Sequence, residues 1–382
     1  MILSVRGKKL IELLIPILAL AALIWLGYEF WRLLFQPYPP GAYDLVFRYR
    51  EVQAWFAGIP VYSEFGGTGY PPATYTLLWP FLGWLELTEV RWVWAALMVG
   101  SLFWLIRLMI EESGAESLTE KIFISLVPLS TYATGAAIGN GQLIVFLLPA
   151  LLTGLLTLYR RERSWGRDLM GAALVLISLA KPTISVPFLW LVFFLPARRS
   201  FLLVLGSYVG LTLLALTFQE SSAEWLFREM TGNAVEVAAH KGYADLHLLL
   251  IMLGLRDWIL PASFVVWVGF GVWVYRHRHV DPWLLLGATA WVARFWTYHL
   301  WFDDLLILVP MIALYRFAKQ SAPDESKGKI AWILFFLTLL SMLAPGGLYL
   351  FPEPFRTSYL VVQVAIWAAG FVFLLSQARR LA

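Results

Sequence analysis

The chain has no cysteine, which excludes disulfides and thiolate metal sites from its chemistry. It is also poor in charge: Asp, Glu, Lys and Arg make up 14% of 382 residues, against 60% hydrophobic residues and a mean hydropathy of +0.71. Soluble chains average about half apolar, so this composition cannot hide its apolar surface from water. Internal repeats and low-complexity tracts are lacking as well, which leaves no sign of a solenoid or a disordered arm. What is present is a succession of apolar runs of roughly 17 to 25 residues, the length that crosses hydrocarbon as helix. The runs extend from residue 10 to residue 376 without a polar interval long enough for a soluble domain. The expected fold is an all-α polytopic membrane protein, read as a single integral membrane domain over residues 1–382.

The formal charge of +4 comes mainly from basic clusters beside the runs, which read as topology determinants and not as a nucleic-acid footprint. They are Arg6 to Lys9, the RRERSWGR stretch at 160–167, Arg198 with Arg199, RHRH at 276–279, the loop from Arg316 to Lys329, and Arg379 with Arg380. Placing all of them on the cytoplasmic face predicts about twelve crossings, with both termini inside. The crossings fall near 10–35, 91–109, 121–138, 142–159, 168–181, 183–197, 200–218, 258–276, 282–300, 303–318, 329–345 and 357–376. The first run is too long for a cleavable signal core and reads as a retained span. Segment 70–88 carries Pro71, Pro72 and Pro80, so a short re-entrant or laterally lying helix is expected there, the alternative being two crossings within 71–110.

This arrangement leaves residues 36–70, Gly139 to Gln142, Lys181 with Pro182, residues 219–257, the 294–304 corner and residues 345–356 on the outer face. Within 36–70, Leu45, Tyr49, Val52, Trp55 and Phe56 recur at helical spacing, while Arg48, Arg50, Glu51 and Gln53 fall off that stripe. That is the pattern of a helix lying in the membrane interface. Residues 219–257 mix Trp225, Phe227, Val235 and Leu246 to Leu250 with charges and with His240, Lys241 and His247. The two segments and the span ends are expected to wall an outward-facing cavity.

Asp44 follows the first span, Gly58 with Tyr62 stands at a turn, and Tyr70, Pro71 and Pro72 open the next helix. Further along are GNGQLIVFLLPALL from Gly139, LAKPT around Lys181, and WTYHLWFDDLLILVP from Trp296. In that order these residues resemble glycosyltransferase family 87, the bacterial polyprenol-phosphate-mannose-dependent mannosyltransferases of the GT-C fold. Val145 stands where the family often carries Asn. The resemblance implies a plasma-membrane enzyme with an extracytoplasmic site. Its implied donor is a polyprenyl phosphate hexose, with mannose favoured, and its implied acceptor is a glycolipid or a glycan.

Such a transfer needs a base to take the acceptor proton and cationic or hydrogen-bonding groups to stabilise the departing phosphate. Asp44 is the expected base, and a single displacement inverts the anomeric centre. Its competing reading is a helix cap, which Phe47 at the third following position does not support as a capping box. Lys181 is expected at the outer headgroup level, as a phosphate ligand or as a snorkelling anchor. Arg294 and His299 offer donors to phosphate oxygens, or in the case of His299 a tip packed among Trp296, Tyr298 and Trp301. Asn140 and Gln142 are expected to hydrogen-bond sugar hydroxyls or simply to form a Gly-Asn-Gly turn, and Tyr70 to touch substrate. Asp303 and Asp304 are weak candidates for a divalent cation and otherwise stabilise a helix start; no cofactor is expected.

A lipid or solute transporter or flippase, a transferase or ligase using another lipid-linked sugar, and a noncatalytic scaffold are the alternatives. A transporter usually carries charge near the bilayer midplane and two related halves, and the middles of these runs lack acidic and basic residues. A scaffold predicts no convergence of Asp44, Lys181, Arg294 and His299.

Overall fold

The computed structural model describes residues 5–160, 162, 164–194, 198–241, 245–322, 325–343, 352 and 355–381. Their secondary structure is 83% helix, and no strand occurs among the described residues. In chain order the helices are α1 Val5–Phe35, α2 Tyr43–Phe56, α3 Val61–Glu64, α4 Pro72–Leu82, α5 Leu87–Ser113, α6 Leu118–Ser130 and α7 Tyr132–Asn140. They continue as α8 Ile144–Tyr159, α9 Trp165–Ser178, α10 Pro182–Ser185, α11 Leu189–Phe194, α12 Arg198–Leu216, α13 Ala223–Lys241 and α14 Leu246–Met252. The last are α15 Ile259–His277, α16 Pro282–Phe295, α17 Leu308–Gln320, α18 Ser326–Leu343 and α19 Phe355–Leu381. A 3₁₀ stretch, Trp301–Ile307, leads into α17.

Among the described residues, six helices (α1, α5, α12, α15, α18 and α19) are long and apolar enough to cross a membrane, or seven spans if the bent pair α6–α7 is counted as one. The chain is an integral membrane protein on that ground. Apolar side chains point outward where a soluble protein would place charge: Leu13, Leu20 and Leu23 on α1, Phe264 and Val265 on α15, Val361 and Val372 on α19. Lipid is the solvent that makes such a face stable.

Each of the expected crossings contains helix, with three changes of form, the first in 183–197, where a 3₁₀ turn at Val186–Phe188 separates α10 from α11. The stretch 121–138 is broken, α6 and α7 meeting at a bend of 50°. Pro128 brings its ring to the end of α6, and Thr134 Oγ1 donates to the freed Pro128 carbonyl at 2.5 Å. Thr131 caps the new start by accepting from the Thr134 amide. The stretch 303–318 begins as the 3₁₀ turn, which packs against α7 and α16. Segment 70–88 yields α4, whose 11 residues span about 16 Å, half of the ~30 Å hydrocarbon core. It lies instead against α2 and α12.

The α2 helix corrects the interfacial expectation. Arg48 and Glu51 do not face water: they are 8% and 0% exposed and form an ion pair. The helix is enclosed on both sides because α4 packs along it, while Trp55 donates to the Ala215 carbonyl at the end of α12. By contrast α13 is largely exposed and covers the loop before α4, with Asn233 donating to the Tyr62 carbonyl at 2.7 Å. The side chains of His240 and Lys241 lie outside the described residues, as does most of 345–356.

Candidate active site

The chain folds so that the starts and ends of distant helices meet at one end of the bundle. Ala42 donates its amide to the Gly139 carbonyl at 3.1 Å, which seats the start of α2 on the end of α7. Gly141, at φ 73, lets the chain turn from α7 into α8, and a Cβ there would lie 2.4 Å from Leu45. Gly139 is packed as closely against α1, since an added Cβ would fall 1.8 Å from the Glu29 carboxylate.

Asp44 sits in the first turn of α2, yet it is not a cap: the cap position is Ala42, with no side-chain cap bond. Its carboxylate is partly exposed and hydrogen-bonds the Gln142 side chain. Burial raises its pKa above the usual carboxylate value; the Gln142 bond and the charges of Lys181 and Arg48 pull it partly back.

Lys181 does not reach out to bulk headgroups. It is 7% exposed, and its ammonium donates to Asp303 Oδ1 at 2.5 Å and to Gln142 Oε1 at 3.2 Å. Its Nζ also lies 5.0 Å from the centre of the Phe302 ring. A break between α9 and α10, with Pro182 opening α10, turns the Lys181 side chain inward. Gln142 thus bridges Lys181 and Asp44.

A second buried pair lies beside the first. Arg294 at the end of α16 is ion-paired with Asp304, which also accepts from the Tyr132 hydroxyl. Gln363 on α19 donates to that hydroxyl at 2.9 Å, so α7, α16, α19 and the 3₁₀ turn share one polar network. Charges buried this deeply are tolerated only when paired and hydrogen-bonded. Asp303 and Asp304 are therefore each neutralised by a cation of the protein, and no group of three or more His, Asp or Glu fit for a metal occurs among the described residues.

His299 is completely buried in the corner after α16. Its Nδ1 lies 3.1 Å from the Thr297 carbonyl, which assigns the proton to Nδ1 and leaves a lone pair on Nε2. Nε2 has no hydrogen-bond partner among the described residues. Burial, helped by Arg294 and Lys181 and opposed by Asp303, lowers the imidazole pKa to about 4, so it is neutral at pH 7. In this tautomer Nε2 accepts hydrogen bonds; the expected donation to a phosphate does not come from it. The corner is held by Asp245, which accepts from the His299 amide at 3.1 Å, and by His247 Nδ1, which accepts from the Tyr298 amide at 3.0 Å.

Tyr70 stands over Arg48, its ring centre 4.2 Å from the guanidinium, and its hydroxyl feels the charges of Lys181, Arg48, Asp303 and Asp44. The Tyr62 hydroxyl donates to the Tyr70 carbonyl at 2.7 Å, so the Gly58–Tyr62 turn serves as a strap for Tyr70. Asn140 faces away, its Oδ1 accepting from Arg32 at 3.4 Å. Val145 is fully buried and offers no polar group. Asp44, Gln142, Lys181, Asp303, Tyr70 and His299 are therefore brought together, Arg294 and Asp304 border them, and Asn140 is turned toward α1. Sequence reasoning missed Arg48, Glu51, Tyr132 and Gln363. The signal for the first two was present: Asp44, Arg48 and Glu51 are spaced by four and three residues, one face of a helix.

A partly exposed carboxylate whose pKa is raised by desolvation thus lies beside an amide and an ammonium at one end of a membrane helix bundle, an arrangement suited to proton transfer at a lipid-embedded site. The chain matches the family model of glycosyltransferase family 87 over residues 68–309, well over half its length. It belongs to glycosyltransferase family 87 and is a membrane glycosyltransferase. The matched stretch carries Gln142, Lys181, Arg294, His299, Asp303 and Asp304, while Asp44 precedes it. No curated protein and no solved structure matches the chain.

Proposed function

We propose that the protein transfers a hexose, with mannose favoured by the resemblance, from a polyprenyl phosphate donor to a glycolipid or glycan acceptor. In this reading the fold is of the GT-C type, about twelve segments cross the membrane, both termini are cytoplasmic, and the site opens on the extracytoplasmic face. The single observation that carries it is the Asp44–Gln142–Lys181–Asp303 chain, which joins α2, the turn between α7 and α8, the residue before α10 and the 3₁₀ turn in one cluster.

Asp44 takes the acceptor proton as the acceptor oxygen attacks the anomeric carbon. The bond from that carbon to the phosphate oxygen breaks, and polyprenyl phosphate leaves with the electron pair. The product is inverted, because one face is attacked as the other is vacated. A raised pKa makes Asp44 a stronger base than an exposed carboxylate. Gln142 orients it. Lys181 uses two of its three N–H donors on Asp303 and Gln142, which leaves one for a phosphate oxygen. Nε2 of His299 accepts from a sugar hydroxyl, and Tyr70 with Arg48 forms the wall beneath it. Asp303 and Asp304 hold Lys181 and Arg294 in place, and the reaction as written draws on no further cofactor. The partners are the donor, the acceptor and membrane lipids, with no nucleic acid.

The test is incubation of purified protein with a panel of radiolabelled polyprenyl phosphate hexoses and a lipid extract. One donor is expected to yield a labelled lipid or glycan that is absent from the Asp44→Asn variant. Transfer from a nucleotide sugar alone, or product formation on the cytoplasmic side of oriented vesicles, contradicts the reading.

A further inference from the structure

The end of the bundle away from Asp44 holds a cavity of about 270 Å³ between α16, α17, α18 and α19. Its walls carry three cations, Arg316, Lys327 and Arg380, beside the carboxylates of Asp281 and Glu325 and the amide of Gln377. An apolar wall, Leu284 and Phe317 among it, faces this polar set.

The charges are not used up among themselves. Lys327 and Glu325 stand 3.6 Å apart, and Arg316 meets Asp281 only at 4.0 Å. Arg380 forms no ion pair among the described residues and is exposed in the last turn of α19. Arg316 is held in place: one of its Nη atoms donates to the Glu112 carbonyl at the end of α5, and its guanidinium lies 5.7 Å from the Trp283 ring centre. Its Nε is buried without a hydrogen-bond partner among the described residues. Such a donor costs about 1–3 kcal/mol when left unmet, and an anion bearing several acceptor oxygens meets it.

We infer that this cavity binds the phosphate of an anionic membrane lipid headgroup. Phosphate is the chemistry that fits fixed guanidinium donors, an exposed arginine and an amide at once. A lipid, in preference to a free ion, fits the place: the cavity lies where four apolar helices end, so a phosphate there leaves its acyl chains beside them, and the apolar wall receives the glycerol. Basic pockets between helix ends hold anionic headgroups in the same way. The volume is about that of nine water molecules, which suits a headgroup and excludes a whole sugar lipid. Three of the four helices run to the candidate active site, where α16 carries Arg294, the turn before α17 carries Asp303 and Asp304, and α19 carries Gln363. Occupancy at one end therefore stiffens the elements that present the buried pairs at the other.

Wild-type protein in an uncharged detergent, titrated with phosphatidylglycerol and separately with phosphatidylcholine, is expected to retain one phosphatidylglycerol in native mass spectrometry and to gain about 2–6 °C in Tm. Phosphatidylcholine is expected to do neither. Because Arg316→Ala also removes the contact that ties the end of α17 to the end of α5, the deciding variant is Lys327→Ala with Arg380→Ala, both on accessible side chains and outside the catalytic cluster. It is expected to fold, to keep transfer activity, and to hold phosphatidylglycerol at least about tenfold more weakly. Equal retention of the two lipids by wild type, or equal phosphatidylglycerol affinity in the double variant, overturns the inference. So does full displacement of the lipid effect by millimolar inorganic phosphate, which would mark a site for the free ion.

Discussion

Two arginine–glutamate pairs stand in segments 36–70 and 219–257, and they differ in nearly everything except chemistry. Arg48–Glu51 on α2 is enclosed between α4 and the loop before it. Arg256–Glu236, which ties α13 to the turn before α15, has both side chains about half exposed. From sequence the two segments look alike, apolar residues mixed with charge beside a span. Desolvation separates them: a buried pair must be fully satisfied or it destabilises the fold, whereas an exposed pair contributes about 0–1 kcal/mol. The difference teaches which segment can hold a perturbed carboxylate, and Asp44 lies one turn before Arg48 on the enclosed one.

Substitutions at the buried and exposed pairs separate the two segments. Arg48→Ala leaves Glu51 buried without its cation and is expected to cost about 3–5 kcal/mol, read as loss of thermal stability in detergent. Arg294→Ala is expected to behave alike through Asp304, and the double replacement Arg294→Met with Asp304→Asn is expected to recover part of the loss. Gly139→Ala drives a Cβ into the Glu29 carboxylate and is expected to cost about 1–3 kcal/mol, by overpacking between α1 and α7. Arg256→Ala on the exposed pair is expected to change stability by less than about 1 kcal/mol. A cost for Arg256→Ala as large as that for Arg48→Ala would erase the distinction between the two segments.

The fold was legible where lipid dictates it, since a run long enough to cross hydrocarbon has no alternative to helix. The ends of those runs were legible too, which is why Lys181, Gln142 and His299 could be named together with Asp44. The pairing was not. Lys181 meets Asp303 across 122 residues, and Tyr132 meets Asp304 across 172, and no local pattern encodes a contact at such separation. Nor was the burial of Arg48 and Glu51 readable, because it depends on the short α4 helix packing along α2, a contact between separate elements.

The pH dependence sharpens the account of Asp44. The base must be ionised, so transfer is lost as pH falls through its raised pKa, and the acid limb of kcat/KM is expected above the ordinary carboxylate value of 3.8. The Gln142 bond favours the carboxylate, so Gln142→Leu is expected to move that limb to higher pH, as is Lys181→Met, which removes a neighbouring positive charge. His299, already neutral above about 4, is expected to add no limb near neutrality.

The most direct measurement is the transfer rate of Asp44→Asn at neutral pH, with thermal stability and donor binding recorded on the same preparation. Asn keeps the shape and polarity of the side chain at a position that is not a cap, so the variant is expected to remain folded, inserted and able to bind donor. It cannot take a proton from the acceptor, and transfer is expected to fall at least about 100-fold. Transfer near the wild-type rate by a stable Asn variant would contradict the account and move the search for the base to Asp303, Asp304 and Nε2 of His299.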